Sequence, residues 1–248
     1  MKNHVLLFIS LLFFSSLSAK NMEKPIPNVH EGWNMLLETH VDTSGMVDYV
    51  GFKKSSTQLN SYLKEIESTY LSTYNKWNKN HKLAFWINIY NAYTVKLVLD
   101  NYPIKSIKDV TRDGKDAWNI PFIKLGNKTY TLNQIENDII RKQFNEPRIH
   151  FAVNCASIGC PPLRNEAFIA EKLDQQLKEQ TKKFINDPSY NKLSSNSIKI
   201  SKIFDWYKED FTKDGSVIDF LNTYSSIQIN PNASISYIEY DWGLNKQN

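Results

Sequence analysis

The chain has 248 residues, 41% of them hydrophobic and 13% aromatic, which excludes an intrinsically disordered chain and suffices for a packed core without disulfide staples. Two cysteines exclude a disulfide-rich scaffold and a four-thiolate zinc site. The net charge of +4 comes mostly from lysines, only Arg112, Arg141, Arg148 and Arg164 being arginine, and no dense basic stripe is present, so nucleic acid is not expected as a partner.

Lys2, the apolar run 5–14 and the small residues Ser15, Ser16, Ser18 and Ala19 read as a signal peptide over residues 1–19, with a cut after Ser18 or Ala19. An uncleaved anchor is the other reading, although the apolar run is shorter than an ordinary membrane span. Cleavage predicts an exported protein, periplasmic or secreted, with a mature charge of +3 and no membrane span. Export also places Cys155 and Cys160 where thiols oxidise.

Residues 20–79 read as an N-terminal helical segment packing on the core. It holds a short helix from Trp33, a loop at Asp42 to Gly45, a short strand over 47–52, and a helix over 56–77 with Leu59, Tyr62, Leu63, Ile66 and Tyr70 at helical spacing. The stretch 83–99 is apolar nearly all round, which predicts a buried central helix. Asn88 and Asn91 lie three apart on it, and their amides need partners if that face is buried. Tyr102-Pro103 ends the helix.

A hairpin is expected over 121–131, turning at Gly126-Asn127. Thr131 and Gln134 form a capping box for a helix carrying Glu136, which Pro147 closes. Residues 148–153 read as a strand, a long helix follows over 166–186, and strands are expected over 197–204 and 234–240. No repeat or long linker divides the chain. The whole predicts one α+β domain, a buried central helix on a small, mostly antiparallel sheet with several surrounding helices.

The segment RIHFAVNCASIGCPP carries most of the chemistry. Cys155, at the end of a strand entering a turn of small residues, can be a thiolate nucleophile. It can equally pair with Cys160 in a disulfide, or both thiols can be inert. In an extended strand His150 lies ~16 Å from Cys155, so the imidazole is expected to meet Glu136, Asn88 or Asn91 across the fold. Otherwise it is a satisfied core histidine. Arg148 can hold a substrate carboxylate or Glu136, or sit in a structural ion pair. Ser157 lacks a nucleophile elbow and reads first as a turn cap. The His and Cys spacing matches no zinc pattern, so neither metal nor cofactor is expected.

The runs FWINIYNAYTVKLVL (85–99), PIKSI (103–107), TLNQIEN (131–137), RIHFAVNCASIGCPPL (148–163), IFDWYKEDF (203–211) and YDWGLN (240–245), in that order, resemble the domain of unknown function 547 family over residues 80–248. The resemblance singles out Asn88, Asn91, Glu136, Arg148, His150, Asn154, Cys155, Ser157 and Cys160. Many members carry His directly after the glutamate, where this chain has Asn137.

Two functional expectations follow. One is a non-catalytic binding or scaffolding domain of the cell envelope. The other is a thiol-dependent hydrolase or acyl transferase acting on amide or peptide bonds. In it Cys155 is the nucleophile, His150, Glu136 and Asn88 assist, and Arg148, Asn91, Asn154 and Ser157 bind. The partner in either case is an unidentified peptide, amide or protein.

Overall fold

The computed structural model describes residues 28–247, so the expected signal segment 1–19 lies outside the described residues. The chain enters through α1 (Glu31–His40), α2 (Tyr49–Lys54) and α3 (Ser56–Thr73). Leu59, Tyr62, Leu63 and Ile66 of α3 are buried, as their spacing predicts. The strand expected over 47–52 is instead helix after Asp48. The Asp48 carboxylate accepts the Gly51 N–H at 2.8 Å and starts α2, leaving only Val47 to bridge Val41 and Lys246.

Helix α4 (Lys79–Asn101) is the centre of the molecule and is buried almost continuously from Leu83 to Leu99. Asn78 caps it by accepting the His81 N–H. It packs on α2, α3 and a π-helix (Gln134–Arg141), and its Trp86 stands edge-on to Tyr130 of the hairpin that follows. Two hairpins follow, β1 (Thr111–Arg112) with β2 (Lys115–Asp116) and β3 (Ile123–Leu125) with β4 (Lys128–Tyr130). Gly126 takes the positive φ, 62°, that the second turn needs. The capping box forms reciprocally: Thr131 N–H donates to Gln134 Oε1 and Gln134 N–H to Thr131 Oγ1. The π-helix runs into α5 (Lys142–Phe144).

Residues 148–153 are not a strand. Pro147 presets a helical φ and the Glu146 side chain accepts the Arg148 N–H at 3.1 Å, so the chain enters a 3-10 helix, Pro147–Phe151. The long helix also begins later than its composition suggests, as α6 (Leu173–Ile185). Side-chain amides take over the main-chain bonds before it: Gln176 pairs with Ile169 N–H and Ala167 C=O, and Asn88 with Phe168.

The C-terminal part comprises β5 (Lys192–Leu193), β6 (Ser197–Ser201), α7 (Ile203–Trp206), α8 (Lys208–Phe211), α9 (Val217–Tyr224) and β7 (Ser234–Ile238). β6 pairs antiparallel with β5 and parallel with β7, so the α+β class holds, and among the described residues the strands form three small sheets, one of them mixed. Two apolar clusters make the core, a large one around α4 and a smaller one built from Phe184, Ile200, Phe204, Phe211 and Leu221. Phe151 packs in the second while Ile149 and Val153 pack in the first. The 3-10 helix is therefore stitched between the two cores, and the cysteine loop leaves from that seam. Among the described residues no helix is long and apolar enough to cross a membrane.

Buried His30 has the Tyr62 hydroxyl 2.8 Å from Nδ1, and burial lowers its pKa to about 3. A histidine held neutral by burial stabilises the fold fully above ~6.5 and less as pH falls, because the unfolded imidazole binds the proton first. Between about pH 8 and about pH 5 this removes about 2 kcal/mol of stability. His30→Gln keeps a polar partner for Tyr62 and is expected to lose that much less over the same interval in urea titrations. An unchanged pH dependence overturns the assignment.

Candidate active site

The cysteine loop is held from α4. Asn91 Nδ2 donates to Ala152 C=O at 2.9 Å and its Oδ1 accepts the Asn154 N–H at 2.8 Å. Asn154 turns the chain: its Oδ1 accepts the Ala156 N–H, and its Nδ2 reaches across the loop to Pro161 C=O. Ala156 sits at φ 60°, a left-handed conformation that costs a non-glycine residue about 1 kcal/mol or more. Asn245 Nδ2 supports the same Asn154 oxygen, at 3.3 Å. The C-terminal segment runs alongside, with Ile158 N–H on Gly243 C=O and Gly159 N–H on Asp241 C=O, both 2.8 Å. A Cβ on Gly159 would stand 2.9 Å from the Asp241 nitrogen, so the approach requires glycine.

Cys155 projects from this turn, partly exposed, while Cys160 is buried. Both thiols are free, their sulfurs 2.9 Å apart. Cys155 Sγ also lies 3.1 Å from Ser157 Oγ and 3.2 Å from the Tyr240 hydroxyl, and Cys160 Sγ accepts the Cys155 N–H at 2.9 Å. The hydrogen bond with Cys160 chiefly, then those with Ser157 and Tyr240, lower the Cys155 pKa against the effect of burial. Burial pushes Cys160 up. Ser157, read as a turn cap, instead completes the hydroxyl cradle of the sulfur and also bonds Tyr240 at 3.1 Å.

His150 does not meet Glu136, Asn88 or Asn91 directly. The 3-10 turn aims its Nε2 at Asp210 Oδ2, 2.8 Å away on α8, and Tyr207 stacks on the ring at 3.9 Å. Asp210 also accepts Arg141 Nε at 2.6 Å. Burial opposes its charge, yet the bonds from His150 and Arg141 hold its pKa well below the usual carboxylate range. An ionised Asp210 only accepts, so Nε2 carries the imidazole proton and Nδ1 keeps its lone pair. Burial lowers the His150 pKa, leaving the ring neutral at pH 7. Glu136 Oε1 accepts the Tyr207 hydroxyl at 2.6 Å, so it reaches His150 through that ring.

Glu136, His150, Cys155 and Cys160 line one cleft of about 220 Å³. Its walls include Tyr90, Trp118, Trp206, Tyr207, Tyr240 and Trp242, and Trp206 at its mouth is 46% exposed. Asn88, Asn91, Arg148, Asn154 and Ser157 are not among the lining residues. Both amide groups of Asn88 and of Asn91 are engaged by main chain. Arg148 is ion-paired to Glu146 at 2.7 Å and Asp174 at 2.9 Å, not to Glu136. The arginine beside the cleft is Arg141. Asn137 lines the cleft and its Oδ1 accepts Arg141 Nη1. Asp210, Tyr207, Tyr240, Trp118, Trp206 and Trp242 were not singled out by the sequence. All but Trp118 lie in the runs 203–211 and 240–245 that carry part of the family resemblance. Among the described residues no group of three His, Cys, Asp or Glu side chains is arranged to hold a metal ion.

Asn91→Ala leaves a buried C=O and a buried N–H unpaired and is expected to destabilise the fold by about 2–4 kcal/mol in urea denaturation; a change under about 0.5 kcal/mol contradicts the clasp. Tyr240→Phe removes one donor to the Cys155 sulfur, and alkylation by iodoacetamide near neutral pH is expected to slow by about tenfold. An unchanged rate contradicts the cradle.

No curated protein and no solved structure matches the chain significantly. A family match does cover residues 74–185, from the end of α3 to the end of α6; it includes Glu136, His150, Cys155 and Cys160 and stops before Asp210 and Tyr240. The family matched over those residues is described as Protein of unknown function, DUF547.

Proposed function

We propose that the protein is a thiol-dependent hydrolase or acyl transferase acting on amide or peptide bonds, with Cys155 as nucleophile. The observation that carries this is the sulfur itself: partly exposed on a cleft wall, cradled by Cys160, Ser157 and Tyr240, and sharing the cleft with an imidazole oriented by an ionised carboxylate. No hydrogen bond joins Cys155 to His150 among the described residues, so the thiolate is stabilised by its cradle while His150 serves the substrate.

In this scheme a water entering the cleft relays the thiol proton to His150 Nδ1, and Asp210 stabilises the resulting imidazolium. The sulfur attacks the carbonyl carbon, the C–N bond breaks, and His150 returns the proton to the leaving amine. Water, or an acceptor amine or hydroxyl, then attacks the thioester carbon and gives its proton to Nδ1. The C–S bond breaks, and Nδ1 returns that proton to the departing sulfur by the same relay, restoring thiol and neutral imidazole. Asn91, Asn154 and Asn245 are positioning residues for the loop. Asn88 does the same for 167–169, so neither asparagine of α4 is the oxyanion donor. On residues 1–19 we further propose export, to the periplasm or beyond.

Cys155→Ala is expected to abolish turnover across a panel of peptide and amide substrates, and His150→Ala to lower kcat by about a hundredfold or more. Rapid alkylation of Cys155 in the exported protein, with no mass change on reduction, supports the scheme. A quantitative Cys155–Cys160 bridge in that protein, or no turnover beside slow alkylation, overturns it and leaves the binding-domain reading.

A further inference from the structure

The cleft holds a carboxylate, Glu136, that has no ion-pair partner among the described residues, although the Arg141 charge lies within coulombic reach of it. Glu136 is only 5% exposed, and Oε1 accepts the Tyr207 hydroxyl. Oε2 has no hydrogen-bond donor among the described residues and is not among the atoms sealed from solvent without a partner, so on this cleft-lining residue the oxygen is open to whatever enters. Buried acids are ordinarily paired, because a lone charge taken from water is costly. Asp210, close by, shows the ordinary solution, with His150 and Arg141 both on Oδ2. Arg141 is spent there and on Asn137, so it is not a hydrogen-bond partner for Glu136.

The walls reinforce the sign of the charge. Six aromatic rings border the same space, and ring faces attract cations. An incoming carboxylate or phosphate would face Glu136 as a like charge, and a neutral ring would leave Oε2 uncompensated. A cavity of about 220 Å³ suits a compact group of a few carbons.

We infer that this cleft recognises a primary ammonium group, paired to Glu136 Oε2 and enclosed by the aromatic walls, next to the bond presented to Cys155. The inference deepens the thiol-enzyme reading by naming its substrate class, amides carrying a positively charged amine near the scissile carbonyl. Recognition of the cation does not require the sulfur, so the two can fail separately.

The test is calorimetric titration of the full chain with n-butylammonium, 1-butanol and n-butyrate. The ammonium is expected to bind at least about tenfold more tightly than the alcohol, and butyrate not at all. Cys155→Ala should bind the ammonium as wild type does, while Glu136→Gln should lose about tenfold or more. Equal binding of ammonium and alcohol, absence of saturable ammonium binding, or full retention in Glu136→Gln overturns the inference. The ligand comparison on the wild-type chain decides the matter even if Glu136→Gln does not fold. Ammonium binding without any turnover of aminoacyl amides keeps this site and removes the thiol mechanism instead.

Discussion

One carboxamide organises the region where chemistry can occur. Asn91 stands on a helix buried almost continuously from Leu83 to Leu99, and it offers the main chain of Ala152 and Asn154 one donor and one acceptor. In a dry environment those two bonds have no competitor from water, and losing either leaves a buried polar group unpaired. The bonds therefore fix where the chain leaves the 3-10 helix and begins the turn at Asn154. The left-handed Ala156, the exposure of Cys155 and the retreat of Cys160 all follow from that placement. Asn88, one turn earlier, repeats the device on Phe168.

The C-terminal segment then closes what the central helix opens. Main-chain bonds from Ile158 and Gly159 to Gly243 and Asp241 set it beside the loop, bringing Tyr240 onto the sulfur and Trp242 onto the cleft. Helices α7 and α8 deliver Trp206, Tyr207 and Asp210 from the other side. The acids in this space behave differently because their partners differ. Asp210 is saturated by two nitrogen donors and aligns the imidazole, whereas Glu136 takes a single hydroxyl and keeps an oxygen for the cleft. The two thiols also differ by environment, one lowered by hydrogen bonds and the other raised by burial.

Periodicity and turn chemistry reveal much of the local structure before any coordinates. The stripe on α3, the all-round apolarity of α4, the hairpin at Gly126 and the reciprocal Thr131–Gln134 cap are short-range features, and short-range features survive folding. The misreadings share one cause. At 47–52 and 148–153 alternating apolar residues mimic strands, but Asp48 in the first, and Glu146 with Pro147 in the second, cap or preset a helical turn. The late start of α6 has the same character, since Gln176 and Asn88 satisfy the main chain of 167–169 in place of a helix.

By itself the sequence determined the α+β class, the buried helix with two amides in need of partners, and the set of reactive types around residue 155. Those are matters of composition and of spacings of a few residues. Which groups meet was decided only by the tertiary structure. His150 finds Asp210 across 60 residues and Cys155 finds Tyr240 across 85, separations over which no periodicity carries information. A hydrogen bond selects its partner by position and desolvation, and both exist only once the two cores have closed around the seam between them.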